Sequence, residues 1–268
     1  MAGSNKVRSF IIRLSTASIL IPIVLIALFL GKFFTLILIL VVINLCLIEF
    51  LRFCHRKNIF PYPACIFLPA NLLPVGIYLS SPLQYLSSLL FIYIILLSLL
   101  RFGQKSFLER ISTTTFIIIY LSLLPSTLIL LRKSGVNFAL FPIVITWIFD
   151  TGAYLVGSGI GRLRLSPDVS PKKTYEGLIG GIVISLPSLL LLNQWFKTNF
   201  SLFDSIMITT GIGILATLGD LFESAFKREV GLKDTSQLFP GHGGMLDRID
   251  SLLFTIPFFY LFLKLRGY

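Results

Sequence analysis

The sequence predicts an all-α, polytopic integral membrane protein of about nine transmembrane helices, its N-terminus cytoplasmic and its C-terminus on the opposite side. Three observations carry that prediction. Of 268 residues, 55% are hydrophobic and only 13% charged, whereas a soluble domain carries about a quarter charged residues. The apolar residues come in runs too long for ordinary core helices, and they do not alternate as the strands of a membrane barrel do. The basic residues sit mainly in the short loops between those runs.

Nine segments follow in order: residues 14–30, 33–50, 59–79, 83–100, 111–131, 137–157, 177–196, 204–226 and 246–265. Helices are expected because every backbone polar group in lipid needs a partner within its own segment. Lys6, Arg8 and Arg13 precede the first run in the manner of a signal peptide. That run is near spanning length, lacks a small-x-small cleavage site and is followed at once by another, so it is expected to be retained. The third segment is interrupted by Pro61, Pro63, Pro69 and Pro74, which makes it the weakest helix former. With the N-terminus inside, 17 of the 23 Lys and Arg residues fall on the cytoplasmic side and six on the other, as the positive-inside rule requires.

The net charge of +11 is explained by lipid headgroups and topology rather than by nucleic acid. Cys46, Cys54 and Cys65 have neither metal-ligand spacing nor an even count, and are read as packing residues. Repeats, long linkers and low-complexity tails are lacking. Most acidic residues lie at or after Asp150, so residues 1–136 are expected to be a membrane scaffold and residues 137–268 the catalytic membrane region.

Three polar constellations stand out. The first is "WIFDTGAYLVGSGIGRLRLSPDVSPKKTYEG", Trp147 to Gly177. Asp150 falls inside the sixth segment, where a carboxylate is expensive and is functional or paired, and Tyr154 shares its helix face. Gly157, Gly159 and Gly161 are expected to end the helix and let backbone approach a ligand. Arg162, Arg164, Lys172 and Lys173 then make a cationic loop. The glycines do not form a phosphate loop of the G-x-x-x-x-G-K-[ST] kind. The competing account is a solvated loop with Asp150 paired to a neighbouring base.

The second constellation is "LGDLFESAFKR", Leu218 to Arg228, in which Asp220, Glu223, Ser224 and Lys227 form one polar stripe on an apolar helix. The alternative is a plain intrahelical Glu223–Lys227 pair. The third is "KREVGLKDTSQLFPGHGGMLDRIDS", where Asp247 and Asp250 stand three apart at the start of the ninth helix and so on one face. Hard carboxylate oxygens suit Mg²⁺, and Asp220 and Glu223 arrive at the same boundary from the preceding helix. Gly241, Gly243 and Gly244 permit a tight turn with amides facing phosphate oxygens. Lys227, Arg228, Lys233 and Arg248 supply charge for polyanions. Taken singly, His242 is more readily a turn residue than a ligand, and the acids serve equally as N-terminal helix carboxylates. Together these residues ask for a phosphate-rich ligand and a divalent cation.

The run "SAFKREVGLKDTSQLFPGHGGMLDRID", Ser224 to Asp250, resembles the signature of the phosphatidate cytidylyltransferases, also called CDP-diacylglycerol synthases. The segments "SPKKTYEG" and "GDLFES" resemble further family segments in the expected order. Ser158 departs from the pattern, standing where many members carry a basic residue. The resemblance implies transfer of the cytidylyl group of CTP to phosphatidate, giving CDP-diacylglycerol and pyrophosphate, by Mg²⁺-assisted attack of the lipid phosphate on the α-phosphate. Such chemistry needs positioning and charge neutralisation rather than a Ser/His/Asp or Cys/His nucleophile.

Carried over residue by residue, the resemblance makes Asp220, Asp247, Lys227 and Arg248 catalytic. It gives Asp220, Asp247, Asp250, Asp150 and Glu223 to metal, with Mg²⁺ the expected ion and room for a second cation. Lys172, Lys173, Ser224, Arg228, Lys233, Asp234, His242, Gly243 and Gly244 are expected to bind or shape the substrate pocket. The expected partners are CTP, phosphatidate and membrane lipids, with a homodimer as an option and no nucleic acid. The expected setting is a bacterial inner membrane, with the active site facing the cytoplasm. A transporter would instead show inverted repeats and midplane polarity. Of the related CTP-using lipid enzymes, a polyprenol kinase would depart from the His242–Asp250 pattern, and a synthase acting on ether lipids stays an alternative.

Overall fold

The computed structural model describes residues 16, 18–99, 106–232, 234–236, 238–239 and 243–268. Among these, the chain is overwhelmingly helical and its one sheet is a two-stranded hairpin. Five helical stretches are long and apolar enough to cross a membrane: Lys32–Arg56, Phe107–Ser134, Val136–Ile160, Tyr175–Phe196 and Leu202–Glu229. They mark an integral membrane protein. Shorter helices occupy the remaining predicted segments. The tail and loop bases Lys6, Arg8, Arg13, Arg101 and Lys105 lie outside the described residues. The described chain divides into two compact units, one drawn from Met1–Lys133 and Asp234–Arg248, the other from Ser134–Lys233 and Ile249–Tyr268.

The first unit begins with helices α1 (Ser18–Leu30) and α2 (Lys32–Arg56), separated by Gly31 at a φ of 125° that a side chain rarely adopts. On α2 the buried residues Leu36, Ile39, Ile43, Cys46, Leu47, Phe50 and Phe53 recur every three or four positions, the stripe of a helix that packs along one side. Helices α3 (Pro63–Tyr78), α4 (Leu83–Leu99), α5 (Phe107–Ile118) and α6 (Leu124–Ser134) follow, with a π-helical turn at Ile119–Leu123 joining the last two. The amides of Asn44 and Asn71 exchange hydrogen bonds of 2.7 and 3.2 Å between α2 and α3. All three cysteines are buried, in keeping with a packing role.

The proline-interrupted third segment is nevertheless helical, and the reason is local. Pro63 sits in the first turn, where its missing N–H costs nothing. Pro74 deprives the Ala70 carbonyl of its helical donor, and the Ser122 hydroxyl donates to that carbonyl at 2.7 Å instead. The bases that end α6 also cap other helices. Arg132 Nε donates to Leu28 O at 2.7 Å, and Lys133 Nζ donates to Ile77 O and to Ser80 Oγ, satisfying carbonyls that a helix C-terminus leaves open.

The second unit is built from α7 (Val136–Ile160), strands β1 (Arg164–Ser166) and β2 (Ser170–Thr174), α8 (Tyr175–Phe196), α9 (Leu202–Glu229) and α11 (Leu252–Arg266). The short α10 (Leu246–Ile249) precedes α11. Helices α7 and α8 meet through glycines. A Cβ on Gly177 would lie 2.8 Å from Ala153 O, and one on Gly181 would lie 2.9 Å from Phe149 O. Small residues allow this backbone approach within a membrane. Around it, Phe141 stacks on Phe259 at 5.9 Å and meets Phe200 edge-on at 5.4 Å, and the hydroxyls of Thr146 and Thr255 lie 3.0 Å apart.

The glycine run does end α7, which stops at Ile160 with Gly161 as its C-cap. Three other local expectations are corrected. The space at Gly157 and Gly161 is filled by the Thr174 side chain rather than left open. Residues 162–174, expected as a loop, form the antiparallel β1–β2 hairpin, with Arg164 opposite Thr174 and Ser166 opposite Ser170. The ninth helix is broken: α10 ends at Ile249, and Asp250 Oδ1 accepts from the Ser251 amide at 2.7 Å before α11 begins. A short acidic side chain that captures a neighbouring N–H competes with the helical ladder in this way.

Candidate active site

In the second unit, the hairpin delivers bases and α9 delivers acids. Thr174 ends β2 and caps α8, its Oγ1 accepting from Gly177 N at 3.1 Å. The Glu176 carboxylate accepts from Leu163 N at 3.1 Å, and Tyr175 N donates to Leu163 O at 3.0 Å. "SPKKTYEG" is thus a strand, a cap and the first helical turn. Successive strand residues point to opposite sides, so Lys172 is exposed while Lys173 turns inward, its Nζ 2.7 Å from Asp220 Oδ2 and 3.5 Å from Thr217 O.

Asp220 is one turn from Glu223 on α9. The Ser224 hydroxyl donates to Asp220 Oδ1 at 3.2 Å, and buried Glu223 contacts the Lys227 ammonium one turn further on. The intrahelical Glu223–Lys227 pair of the plainer reading therefore exists, and it exists inside the cluster. Asp250 joins them from the turn before α11. One carboxylate oxygen from each of Asp220, Glu223 and Asp250 lies within 4.8 Å of the other two. Gly219 makes room for this approach, since a Cβ there would sit 2.5 Å from Asp250 O. Arg228, exposed at the end of α9, donates from Nε to Val169 O in the hairpin turn at 3.3 Å. Asp150 is exposed on α7.

In the first unit, the described residues of 234–248 gather around two carboxylates. Asp247 Oδ2 accepts from Thr235 N at 2.9 Å, from Thr235 Oγ1 at 2.7 Å and from Gly244 N at 2.7 Å. Gly243 has a φ of 79°, and a Cβ on it would lie 2.6 Å from Asp247 Oδ2. Phe239 N donates to Gly243 O at 2.9 Å, closing the turn. Arg248 and Asp234 are exposed. Lys233 and His242 lie outside the described residues.

The second carboxylate belongs to Glu49 of α2, which the sequence reading passed over. Buried Glu49 accepts from Ser236 Oγ at 2.6 Å, from the amides of Met245 and Leu246 at 2.9 Å each, and from Thr235 Oγ1 at 3.2 Å. The signal was available: Glu49 is an acid inside a run of apolar residues, the same anomaly that singles out Asp150.

Three clustered carboxylates with hard oxygen donors fit an oxygen-loving divalent cation. The bases around them fit phosphate groups. The sequence profile of the Cytidylyltransferase family matches residues 11–266, almost the whole chain, and the chain belongs to that family. The phosphatidate cytidylyltransferases of Staphylococcus saprophyticus and Staphylococcus aureus are each 42% identical to it, and that of Staphylococcus haemolyticus 40%, over 126 residues. Those residues are 47% of this chain and 48% of each relative. The chain thus spans about half the length of the curated relatives it matches.

Proposed function

We propose that this protein transfers the cytidylyl group of CTP to phosphatidate, releasing pyrophosphate and leaving CDP-diacylglycerol. The observation that carries the reading is the Asp220–Glu223–Asp250 cluster, with Lys173 and Lys227 held against it, in a chain of the cytidylyltransferase family. The names of the relatives supply the acceptor.

A phosphate oxygen of phosphatidate is already ionised near neutral pH, so it attacks the α-phosphorus of CTP without a general base. The bond from that phosphorus to the α–β bridging oxygen breaks, and pyrophosphate departs with the electron pair. Asp220, Glu223 and Asp250 would hold Mg²⁺, with Asp150 a further candidate, and a bound ion would neutralise charge on the triphosphate and its leaving group. Asp247 is a candidate ligand in its own right. Lys173, positioned by the hairpin and oriented by Asp220, binds a phosphate, as do Lys172, Lys227, Arg228, Lys233 and Arg248. Ser224, Asp234, His242, Gly243 and Gly244 shape the nucleotide pocket in this reading.

Nine spans with the N-terminus in the cytoplasm, the last four carrying the chemistry, belong to the same proposal and are supported by the distribution of Lys and Arg. The site then faces the cytoplasm of a bacterial inner membrane, where CTP arrives from water and the lipid phosphate from the bilayer. A homodimer rests on the family resemblance alone. The test is incorporation of radiolabelled CTP into organic-extractable lipid by purified protein, with phosphatidate, with and without Mg²⁺. Label that depends on both is the expected result. No label from folded protein, with several phosphatidates tried, overturns the reading and points to related lipid substrates.

A further inference from the structure

The four hydrogen bonds to Glu49 all come from the two limbs of one loop. Ser236 Oγ and Met245 N donate to Oε1, and Leu246 N and Thr235 Oγ1 to Oε2. Ser236, Met245 and Leu246 donate to Glu49 alone, while the one hydroxyl proton of Thr235 is shared with Asp247, so three of the carboxylate's roughly four acceptor sites are filled outright and a fourth in part. It is also 3% exposed, and an ionised carboxylate buried in a membrane helix is tolerated only when its oxygens are satisfied. The dependence runs both ways. Met245 N and Leu246 N stand at the start of α10, where helical partners are lacking, and Glu49 supplies the acceptors.

The same loop carries Asp247. Its Oδ2 is gripped by Thr235, which Glu49 also holds, and by Gly244, which precedes the Met245–Leu246 pair that Glu49 holds. Thr235 Oγ1 lies between the two carboxylates, 2.7 Å from Asp247 Oδ2 and 3.2 Å from Glu49 Oε2. Gly244 is sandwiched as well: a Cβ there would meet Glu49 Oε1 and Oε2 at 2.5 and 2.6 Å and would collide with Thr235 Oγ1. The closeness of the limbs, the position of Asp247 and the need for glycine at 244 therefore share one centre.

We infer that Glu49 is a positioning residue for the transfer reaction: it clamps the Thr235–Ser236 and Met245–Leu246 limbs together and so sets where Asp247 is presented. The inference rests on the transferase reading for its catalytic consequence, but the clamp itself has a readout of its own. Substituting Glu49→Gln keeps the shape and places an NH₂ where two donors already point, so one side of the clamp becomes donor against donor.

The experiment compares full-length wild-type, Glu49→Gln, Glu49→Asp and Ser236→Ala proteins in detergent, by amide exchange, melting temperature and steady-state kinetics. In Glu49→Gln, peptides covering 243–249 are expected to exchange at least about tenfold faster while the α7–α8 peptides stay protected. Turnover falls about 10- to 100-fold, the range for groups that act through another catalytic side chain, with KM for phosphatidate within about twofold. Glu49→Asp, which keeps the charge, recovers part of the loss. Ser236→Ala, missing one of the four donors, moves the same two readouts in the same direction by a smaller factor and covers the case in which Glu49→Gln does not fold. Unchanged exchange in the loop overturns the clamp. Faster exchange with wild-type turnover per folded molecule leaves Glu49 purely structural and overturns the positioning role. If the wild-type protein makes no CDP-diacylglycerol, the transferase reading fails, and the exchange data still decide the clamp.

Discussion

Lys173 Nζ and Asp220 Oδ2 lie 2.7 Å apart, joining the β hairpin to α9 at the acidic cluster. The lysine is not placed by chance, because Thr174 next to it caps α8 and Arg164 pairs with Thr174 across the hairpin. In the proposed reaction this ammonium, already oriented by Asp220, would meet a phosphate. Lys173→Met is expected to lower kcat/KM for CTP about 10- to 100-fold, with Lys173→Arg recovering part of the loss. Side chains on both partners are only partly buried, so the ion pair contributes little to stability. Steady-state kinetics and a melting curve on the same preparations check both halves. A drop in melting temperature with normal kinetics would make the pair a structural one.

Gly181 is set against the ring and carbonyl of Phe149, a Cβ there lying 2.7 Å from the ring and 2.9 Å from Phe149 O. Neither neighbour can yield without moving α7 or α8. Gly181→Ala should therefore cost about 1–3 kcal/mol of stability, as overpacking does. Gly159, in α7, has nothing near its Cβ position, and Gly159→Ala is expected to be neutral or slightly stabilising, by up to about 1 kcal/mol, on helix propensity. Thermal unfolding of the two variants in detergent should move in opposite directions or differ clearly in size.

Much of this architecture was legible because lipid enforces it. Long apolar runs have to be helices, and the described residues of the predicted segments are helical apart from some segment ends and the break between α10 and α11. The hairpin at Arg164–Thr174 was illegible because it follows from tertiary partners, namely Thr174 capping α8 and Leu163 bonding Glu176 and Tyr175, rather than from alternating hydrophobicity. The break at Asp250 depends on a side chain-to-amide bond that spacing does not encode. At the site, the shared face of Asp220 and Glu223 on α9 was legible from helical spacing, and Asp250 joins them. The expected shared face of Asp247 and Asp250 is not kept, because the helix breaks at Asp250 and Asp247 is held by Thr235 and Gly244. Glu49 was not, because its donors come from nearly two hundred residues later in the chain. Charge and spacing report what a segment can do by itself; they do not report which distant loop will need its carboxylate.

Asp204 offers a control remote from the chemistry. It forms a capping box with Ser201 at the start of α9, and it also accepts from Arg266 Nε at 2.7 Å and Tyr268 OH at 2.9 Å. Sixteen residues separate it from Asp220, roughly 24 Å along a helix. Burial and the hydrogen bond to Asp204 both raise the Tyr268 phenol above its usual pKa. Asp204→Asn should destabilise the protein by about 1–3 kcal/mol while leaving kcat per folded molecule unchanged. Melting temperature and turnover measured together decide it, and a large loss of turnover would mean that the two ends of α9 are coupled.

Asp247 is predicted to be far more sensitive. Its Oδ2 receives three hydrogen bonds, and an amide could present a donor to the same three donors. Asp247→Asn is expected to keep the protein folded and inserted and to cut turnover at least ~100-fold, the scale for a lost metal ligand or its equivalent. Near-normal activity would remove Asp247 from the machinery altogether.

The carboxylate cluster makes the remaining prediction, and it does not depend on activity. Asp220, Glu223 and Asp250 each place an oxygen within 4.8 Å of the other two, and Lys173 and Lys227 offset part of the acids' charge from the side. A divalent cation between the acids would offset the rest, and an ion that binds only the folded protein raises its stability by about 2.7 kcal/mol at one hundred times its dissociation constant. Adding MgCl₂ to chelator-treated wild-type protein should therefore raise the melting temperature in a saturable way. Asp220→Asn and Asp250→Asn should each shift the half-saturating concentration upward at least about tenfold, with transferase activity following the same curve. Should melting ignore Mg²⁺ while activity requires it, the ion would be entering with the nucleotide, and the three acids would be serving to hold Lys173 and Lys227 in place.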